Sequence, residues 1–419
     1  MRVSHDTHGL SIVIPGAAQH GAKRSGALQT RDPGSAVSRL IGMPGYLGPG
    51  SARYREPSGM TIKMHGHREG ARRVRGAAFA PRAALAAIIA VACAGLIVRP
   101  VAADSVEDFY RGKTLNLIIG YSVGGGYDLY ARHVAKHIVK YIPGRPNIVP
   151  QNMTGAGSLR AATYLYSVAP KDGTVFGTFG RTMAITPLLT AGTQFDGTKF
   201  TWLGSVTNEV STCVTWHTSA VKTWADMLEK PVTLGGEGPG ADPDVYALLY
   251  KNLFGAKVKL VTGYHGTSNL TLAMERGETE GLCGLSWSTL KSRHMQWMKE
   301  NKINIIIQAA FKKEPELDAV PLVADLAKTP EQMQILKLFL GSQEIARPFA
   351  APPGIPDDRK AALVAAFAKT MKDPEFLSEA QKLDIDVNPV SAKTITDMLG
   401  ELYATPKDVL EKAAHAISK

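Results

Sequence analysis

The stretch Leu115-Asn-Leu-Ile-Ile-Gly-Tyr-Ser-Val-Gly-Gly-Gly-Tyr-Asp128 decides the fold, because a β-rich apolar run stops at three consecutive glycines and a helical pattern follows over 129–141. Glycine lets backbone N–H groups approach a ligand closely, and the N-terminus of the helix behind them carries a partial positive charge. The stretch therefore predicts the floor of a binding site for a small carboxylate.

Other glycine motifs do not fit these residues. A phosphate-cradling P-loop needs Gly-Lys-Ser/Thr, whereas Gly126 is followed by Tyr127 and Asp128. A dinucleotide fingerprint would need Gly or Ala where Leu129 stands. A glycine-rich turn without a ligand is the alternative that remains.

The first hundred residues differ from the rest in charge. Residues 1–103 hold 14 of the 48 basic and 4 of the 37 acidic side chains, so the remainder holds 34 and 33 and is nearly neutral. The high pI therefore belongs to this leader and does not indicate nucleic-acid binding.

The leader contains the three parts of a secretory signal. Basic residues over 72–82 precede an uninterrupted apolar run over 83–98, and small residues stand at Val101 and Ala103. We expect export to the periplasm with cleavage after Ala103, and translation from Met60 or Met64, since residues 1–59 fit neither a signal nor a domain. A membrane anchor is the alternative, but the apolar run is short for a span.

Strand and helix signals alternate through the mature part, 104–419, which is long enough for two domains. A strand at 147–150 leads to a second glycine loop at 154–158, and a third strand covers 175–179. Such units build mainly parallel sheets flanked by helices, with ligands outside the carboxyl ends of the strands.

The pattern begins again after Val206, as if a second sheet were starting. A strand at 232–234 leads to a third glycine loop at 235–242, and a proline-rich segment at 347–356 marks the return. We predict two α/β lobes with a cleft between them. Domain 1 should comprise 104–206 plus 335–419, and domain 2 should comprise 207–334.

Six segments in this order resemble motifs of one family, the solute receptors of tripartite tricarboxylate transporters (Bug-type periplasmic binding proteins). They are 118–128, 149–157, 169–175, 261–266, 275–280 and 351–356. The resemblance implies a two-lobed, type II-like venus-flytrap fold that closes on a small organic carboxylate and delivers it to membrane permease subunits. It also implies a monomer without enzymatic activity, cofactor or nucleic-acid partner. A periplasmic sensor subunit and, less favoured, an exported enzyme are the alternatives.

The resemblance also implies that the first lobe holds the carboxylate through backbone amides and bridging waters. The residues that match the family's ligand loops are Tyr121, Ser122, Gly125, Gly126, Gly155, Ala156 and Gly157. Asp128 matches a loop aspartate and is expected to hold the loop, because two carboxylates would repel each other. Where the family has paired prolines, this chain has Gly120 and Ser122, so we expect a less rigid loop.

Further candidate binding residues come from the strand ends. Arg181 follows the third strand and could pair with a ligand carboxylate or lie between the domains. The remaining candidates are Glu237, Gly238, Gly240 and Asp242 of the third loop, with Tyr264 and Ser286, while Trp287 could face the cleft.

The third loop departs from the Ser-rich loop of many relatives and is acidic. Glu237, Asp242 and Asp244 would repel a further carboxylate, so we expect a monocarboxylate or dicarboxylate with a polar or cationic tail rather than citrate. Alternatively, these acids point to solvent or cap the helix at 243–254. The loop also fits G-x-G-x-x-A, but it contains Pro239 and lacks the acid of a nucleotide site.

Two smaller expectations complete the analysis. His133 and His137 stand four apart on one helix without an obvious third metal ligand, so we predict a solvated helix face. Cys213 and Cys283 are the cysteines that remain after signal removal, and in an oxidising compartment they should form a disulfide. Two buried apolar thiols are the alternative. No convincing Ser/His/Asp set is found.

Overall fold

The computed structural model describes residues 105–419. The predicted leader, its cleavage position after Ala103 and the alternative starts at Met60 and Met64 lie outside these residues. Among the described helices, none has both the length and the apolar character that a membrane span requires.

Eleven strands form two sheets in the described part of the chain. Sheet A contains β1 (Thr114–Ile119), β2 (Asn147–Asn152), β3 (Val175–Thr178), β4 (Thr201–Ser205), β10 (Pro348–Ala351) and β11 (Val390–Ser391). Sheet B contains β5 (Ser211–Trp216), β6 (Val232–Gly236), β7 (Val258–Thr262), β8 (Gly281–Ser286) and β9 (Ile303–Ala309). We call each sheet with its flanking helices a lobe, lobe A and lobe B.

Both sheets are mixed. Sheet A has the order β11-β4-β10-β3-β1-β2, with β1 parallel to β2 and β3, and β10 antiparallel to β3 and β4. Sheet B has the order β7-β6-β8-β5-β9, with β6 parallel to β7 and β8, and β5 antiparallel to β8 and β9. Most strands of each sheet therefore run in one direction, as predicted, whereas β10 and β11 in sheet A and β5 in sheet B run against them.

Helices cover the sheets. They are α1 (Val106–Tyr110), α2 (Gly126–Ile138), α3 (Leu159–Ser167), α4 (Thr186–Leu189), α5 (Trp224–Glu229), α6 (Asp242–Phe254), α7 (Thr267–Glu275), α8 (Trp287–Lys299), α9 (Pro330–Gly341), α10 (Asp357–Thr370), α11 (Pro374–Lys382), α12 (Ala392–Tyr403) and α13 (Lys407–Ala416). Helix α2 begins at Gly126, three residues before the predicted start at Leu129. The last glycine of the loop therefore contributes an N–H of the first helical turn.

The lobes are joined by a shared hydrophobic core as well as by the segments of chain that connect them. Helix α6 of lobe B packs against α13, its Tyr246 hydroxyl donates to the Phe339 carbonyl of α9 at 3.5 Å, and one buried cluster includes Tyr246, Phe339 and Val409. The predicted domain boundary at 334/335 falls inside α9, because Thr329 caps that helix and Pro330 begins it. The division into two domains at these residues stays a prediction.

The histidines on α2 are not on a solvated face, so that prediction was wrong. His133 is 5% exposed and His137 is fully buried. Helix α11 covers them: His133 stacks on Phe376 with ring centroids 4.3 Å apart, and His137 Nε2 lies 2.9 Å from Glu379 Oε2. The spacing of the histidines predicts one helix face, but a helix some 240 residues later in the chain determines what covers that face.

Candidate functional site

The first glycine loop joins β1 to α2 and is held by Asp128. The carboxylate accepts a hydrogen bond from the Gly124 N–H at 3.0 Å and one from Asn152 Nδ2 at 2.9 Å, and it pairs with Arg132 Nε at 2.9 Å. Both carboxylate oxygens of Asp128 are therefore bound to groups of lobe A itself. Asp128 therefore fastens the loop and lies outside the cavity lining described below.

The second glycine loop, between β2 and α3, has an unusual backbone. Gly155, Ala156, Gly157 and Ser158 all have positive φ angles, of 133°, 45°, 59° and 83°. This conformation is strained at Ala156 and Ser158, which have a Cβ; such backbone persists only where the surroundings hold it, and it is frequent at ligand clamps. The Ser158 hydroxyl stabilises the loop by accepting a hydrogen bond from the Gly180 N–H at 3.0 Å.

The third loop, between β6 and α6, is held by Asp244 rather than exposing it to a ligand. Asp244 Oδ2 accepts from the backbone N–H of Glu237 at 2.5 Å and of Gly238 at 2.9 Å, and Oδ1 accepts from the Thr262 hydroxyl at 2.5 Å. Asp244 thus does for lobe B what Asp128 does for lobe A. Burial raises the pKa of the Asp244 carboxyl, although these donors oppose the shift.

The loops of the two lobes touch each other. The Thr182 hydroxyl of lobe A donates to the Gly240 carbonyl at 2.5 Å, and the Ser268 hydroxyl of lobe B donates to the Val123 carbonyl at 3.1 Å. A Cβ placed on Gly238 would lie 3.1 Å from the Cα of Ala156. The structure is therefore a closed form in which the lobes meet through their glycine loops.

Arg181 crosses from lobe A into lobe B. Its side chain is 1% exposed, pairs with Asp242, and donates to Ser211 Oγ at 2.5 Å and Ser286 Oγ at 3.3 Å. Its Nε has no hydrogen-bond partner. The structure thus places Arg181 between the lobes, where a buried guanidinium can receive a carboxylate.

Arg347, which precedes β10, is a second buried cation that the sequence analysis missed. Its guanidinium carbon lies 4.6 Å from the ring centroid of Tyr127 and 4.9 Å from that of Tyr130. Nη2 donates to Thr289 Oγ1 at 3.0 Å and lies 3.6 Å from Glu209 Oε2, whereas Nε has no partner. The sequence offered one signal for Arg347, namely its place at the start of the proline-rich segment 347–356 that returns the chain to lobe A.

Glu237 brings an uncompensated carboxyl group to the same place. The residue is 4% exposed, and its Oε1 has no hydrogen-bond partner. Burial, followed by the neighbouring Asp244 and Asp242, raises the pKa of Glu237 well above its ordinary value. The carboxyl group is therefore unusually easy to protonate and, when ionised, needs a donor.

A small cavity lies between the loops. The volume open to the centre of a water-sized sphere is about 20 Å³, which suffices for about one water molecule. Its lining contains six of the predicted residues, namely Tyr121, Gly126, Arg181, Glu237, Asp242 and Ser286. It also contains Tyr127, Thr267, Thr289 and Arg347, which were not predicted. A dicarboxylate therefore requires the lobes to separate before it can enter.

The other predicted residues do not line this cavity. Gly157 of the second loop packs against Ala241 of the third loop, and Gly266 of lobe B packs against Ser122. Tyr264 lies away from the cavity and donates to Glu278 at 3.4 Å. Trp287 instead donates from Nε1 to Glu316 at 2.7 Å and borders an outer groove.

A cluster on α2 and α11 has residue types that can bind a metal ion. Ligand atoms of His133, His137 and Glu379 lie within 4.8 Å of one another. However, Lys136 Nζ donates to both Glu379 oxygens at 2.6 and 2.9 Å, so an ammonium group already neutralises this carboxylate. This lysine lowers the pKa of Glu379 to about 2. The arrangement is an ion-pair network that fastens α11 to α2.

The two cysteines lie on neighbouring strands of sheet B. In the structure a disulfide joins Cys213 of β5 to Cys283 of β8, with their Cα atoms 3.8 Å apart. The pairing in the exported protein stays a prediction, for which thiol labelling is the chemical test. Ser211 and Ser286, which contact Arg181, are register partners on these same strands.

The comparisons with known proteins concern the whole described fold. No protein-family model matches the sequence. The UPF0065 protein in the gbd 5' region of Cupriavidus necator is 23% identical over 341 residues, which cover 80% of this chain and 96% of that protein.

Several solved structures are similar in architecture. The periplasmic binding protein BugD aligns with a TM-score of 0.60 and 17% identity over 73% of this chain and 98% of its own. MatC from Rhodopseudomonas palustris, with bound malate, aligns with a TM-score of 0.57 and 20% identity over 71% and 99% of the chains. Rpa4515 from R. palustris, with adipate, aligns with a TM-score of 0.58 and 19% identity over 72% and 97%. The chain therefore has the two-lobed fold of the Bug-type periplasmic binding proteins, which confirms the resemblance predicted from its motifs.

Proposed function

We propose that this protein is an exported solute-binding receptor that captures a small organic carboxylate between its lobes and delivers it to a tripartite tricarboxylate-type membrane transporter. One observation carries the proposal: glycine loops from both lobes meet around a cavity that holds two buried arginines, Arg181 and Arg347. The malate and adipate bound to MatC and Rpa4515 support a carboxylate as the ligand class.

The proposed binding step uses groups of lobe A. The N-terminus of α2 and the glycine-loop N–H groups favour an anion, and the guanidinium groups add charged donors in a low-dielectric site. Binding occurs in an open form, and the contacts between the loops then re-form around the ligand. The predicted ligand-loop residues 155–157 act at this stage by letting the lobes approach closely.

The site also supports a role in binding rather than catalysis. The residues that line the cavity carry guanidinium, carboxyl, phenol and hydroxyl groups, and no hydroxyl group among them is paired with a histidine or lysine that could act as its base. We therefore infer a receptor rather than an enzyme, and we further propose that it is monomeric, binds no cofactor and is released into the periplasm from its leader after Ala103. Permease subunits of the membrane are its proposed partners.

Calorimetric titration of the exported protein with malate, adipate and citrate tests the proposal. A ligand at a hundredfold excess over its Kd should raise the free energy of unfolding by about 2.7 kcal/mol. Small-angle scattering should show a smaller radius of gyration with ligand, because an open form closes. Arg181→Gln should abolish these effects, whereas Arg276→Gln, at an exposed position, should leave them unchanged.

Mass spectrometry of small molecules that copurify with the folded protein provides an independent readout. An organic acid that is recovered unchanged supports a receptor, whereas its chemical conversion on incubation would support an enzyme. Failure of every small carboxylate to bind, together with no copurifying acid, would contradict the proposed function. Uptake measurements in cells with and without the permease then separate transport from sensing.

A further inference from the structure

Four buried atoms at the cavity have no hydrogen-bond partner, and they fall into two complementary pairs. Arg181 Nε and Arg347 Nε are donors, whereas Glu237 Oε1 and Asp242 Oδ1 are acceptors when ionised. All four residues line the same cavity and are at most 6% exposed. A buried polar atom without a partner is costly, so each pair indicates the kind of group that a ligand must bring.

The charges around the cavity disfavour a purely anionic ligand. Arg181 pairs with Asp242, and Arg347 lies 3.6 Å from Glu209, so each cation already has one carboxylate. Glu237 has no basic partner within salt-bridge distance among the described residues. A purely anionic ligand would add further negative charge to a desolvated site that already has an acidic excess.

From this complementarity, we propose that the ligand is a zwitterion, a small acid that also carries a protonated amine. This inference rests on the proposed function. The carboxylate accepts from Arg181 and Arg347 and from the glycine loops of lobe A, while the ammonium group donates to Glu237 and Asp242 of lobe B. An ammonium group has three donors and can satisfy both acceptors, whereas a hydroxyl group has one donor and no charge.

Glu237 is consequently the specificity-determining residue of lobe B. The sequence of the third loop indicates a ligand with a polar or cationic tail, and the proposal narrows this tail to a protonated amine. It also assigns the two lobes different parts of one molecule, so that the ligand neutralises both unpaired sets and bridges the lobes when they close.

Calorimetry with two matched series tests the proposal on the mature protein. The first series is propionate, L-lactate and L-alanine, and the second is succinate, L-malate and L-aspartate. Within each series only one substituent changes, from hydrogen to hydroxyl to ammonium. We expect the amine to bind at least about tenfold more tightly than the hydroxy acid in at least one series, as for a hydrogen bond to a charged group.

Glu237→Gln should remove most of this preference while retaining the shape of the side chain. Glu229→Gln, at an exposed position, is the matched control and should retain the preference. Binding of the acids without preference for the amine, or an unchanged preference in Glu237→Gln, would overturn the inference and leave the receptor assignment standing. A copurifying acid without an amine would do the same. No binding in either series, with no copurifying acid, would overturn both.

Discussion

Both lobes present glycine loops between a strand and a helix, but the side chains around these loops have opposite charge. On lobe A, the loops adjoin the N-terminus of α2 and the cations Arg181 and Arg347. On lobe B, the loop carries Glu237 and Asp242 into the same cavity. A glycine-rich strand-to-helix turn therefore supplies close approach, whereas the side chains around it decide which charge the approaching ligand meets.

The two lobes fasten their loops in the same way. Asp128 in lobe A and Asp244 in lobe B each accept backbone N–H groups of their own loop. Asp242, which is also near a glycine loop, has a different role: it pairs with Arg181 of the opposite lobe. Sequence position alone does not separate Asp242 from Asp244.

The largest effect should come from breaking the ion pair between the lobes. Arg181→Gln leaves the buried Asp242 without its cation, so we expect a loss of about 3–5 kcal/mol in the free energy of unfolding. Urea denaturation measures this loss. The double variant Arg181→Gln with Asp242→Asn should recover part of the stability but not the affinity for a carboxylate. Equal stability of Arg181→Gln and the exposed Arg276→Gln would show that the ion pair between Arg181 and Asp242 does not stabilise the fold.

The next effect concerns the disulfide, which distinguishes the lobes because both cysteines of the described part lie in lobe B. Their bond closes a loop with a sequence separation of 70 residues, so replacing both by serine should cost about 2–4 kcal/mol. Mass labelling of thiols in the exported, unfolded protein tests the pairing directly. Two labelled cysteines without prior reduction would show that the bond does not form.

Closure should depend on Gly157, because the second glycine loop contacts the third glycine loop at this residue. In Gly157→Ala the added Cβ meets Ala241, whose backbone N and Cα would lie 3.3 Å away. Gly277→Ala is the matched control, because Gly277 also has a positive φ, of 75°, but nothing within 4 Å.

Both glycine variants should lose about 1–2 kcal/mol of stability from the left-handed backbone. Only Gly157→Ala should also weaken ligand affinity, by about 1–3 kcal/mol from overpacking. Calorimetry and scattering with ligand measure the difference. If both variants bind equally well, the contact between the loops is not required for closure.

The smallest effect is a pH dependence that belongs to lobe B. Because the pKa of Glu237 is raised by burial and by Asp244 and Asp242, while Arg181 opposes the shift, the folded protein binds this proton more tightly than the unfolded chain. Its contribution to stability is present at low pH and is lost as the pH rises through the raised pKa. A side-chain hydrogen bond from Thr267 also opposes the shift, and Tyr121 is a further titratable group that interacts with Glu237.

Glu237→Gln should therefore be more stable than the unsubstituted protein by about 1 kcal/mol at pH 8, with a smaller difference at pH 5. Melting temperatures at the two pH values provide the measurement, with Glu229→Gln as control. A difference that is independent of pH would contradict a raised pKa of Glu237 in the folded protein.

The sequence predicted the local backbone of the site well. Three glycine loops after strands, the helices behind them and the restart of the pattern after Val206 all follow from short-range preferences, which glycine and apolar runs express strongly. The mixed order of the sheets did not follow, because strand pairing across the chain depends on the return strand β10.

What the sequence by itself determined is the set of loops, their acidic or neutral character and the likeness to one family of two-lobed receptors. Tertiary structure alone decided that Arg181 and Arg347 enter one cavity, that Asp242 rather than Asp244 crosses the lobes, and that α11 buries His133 and His137. The physical reason is range. Backbone preferences act over a few residues, whereas the partner of a buried charge and the cover of a helix face come from segments that lie far apart in the sequence and meet only in the folded chain.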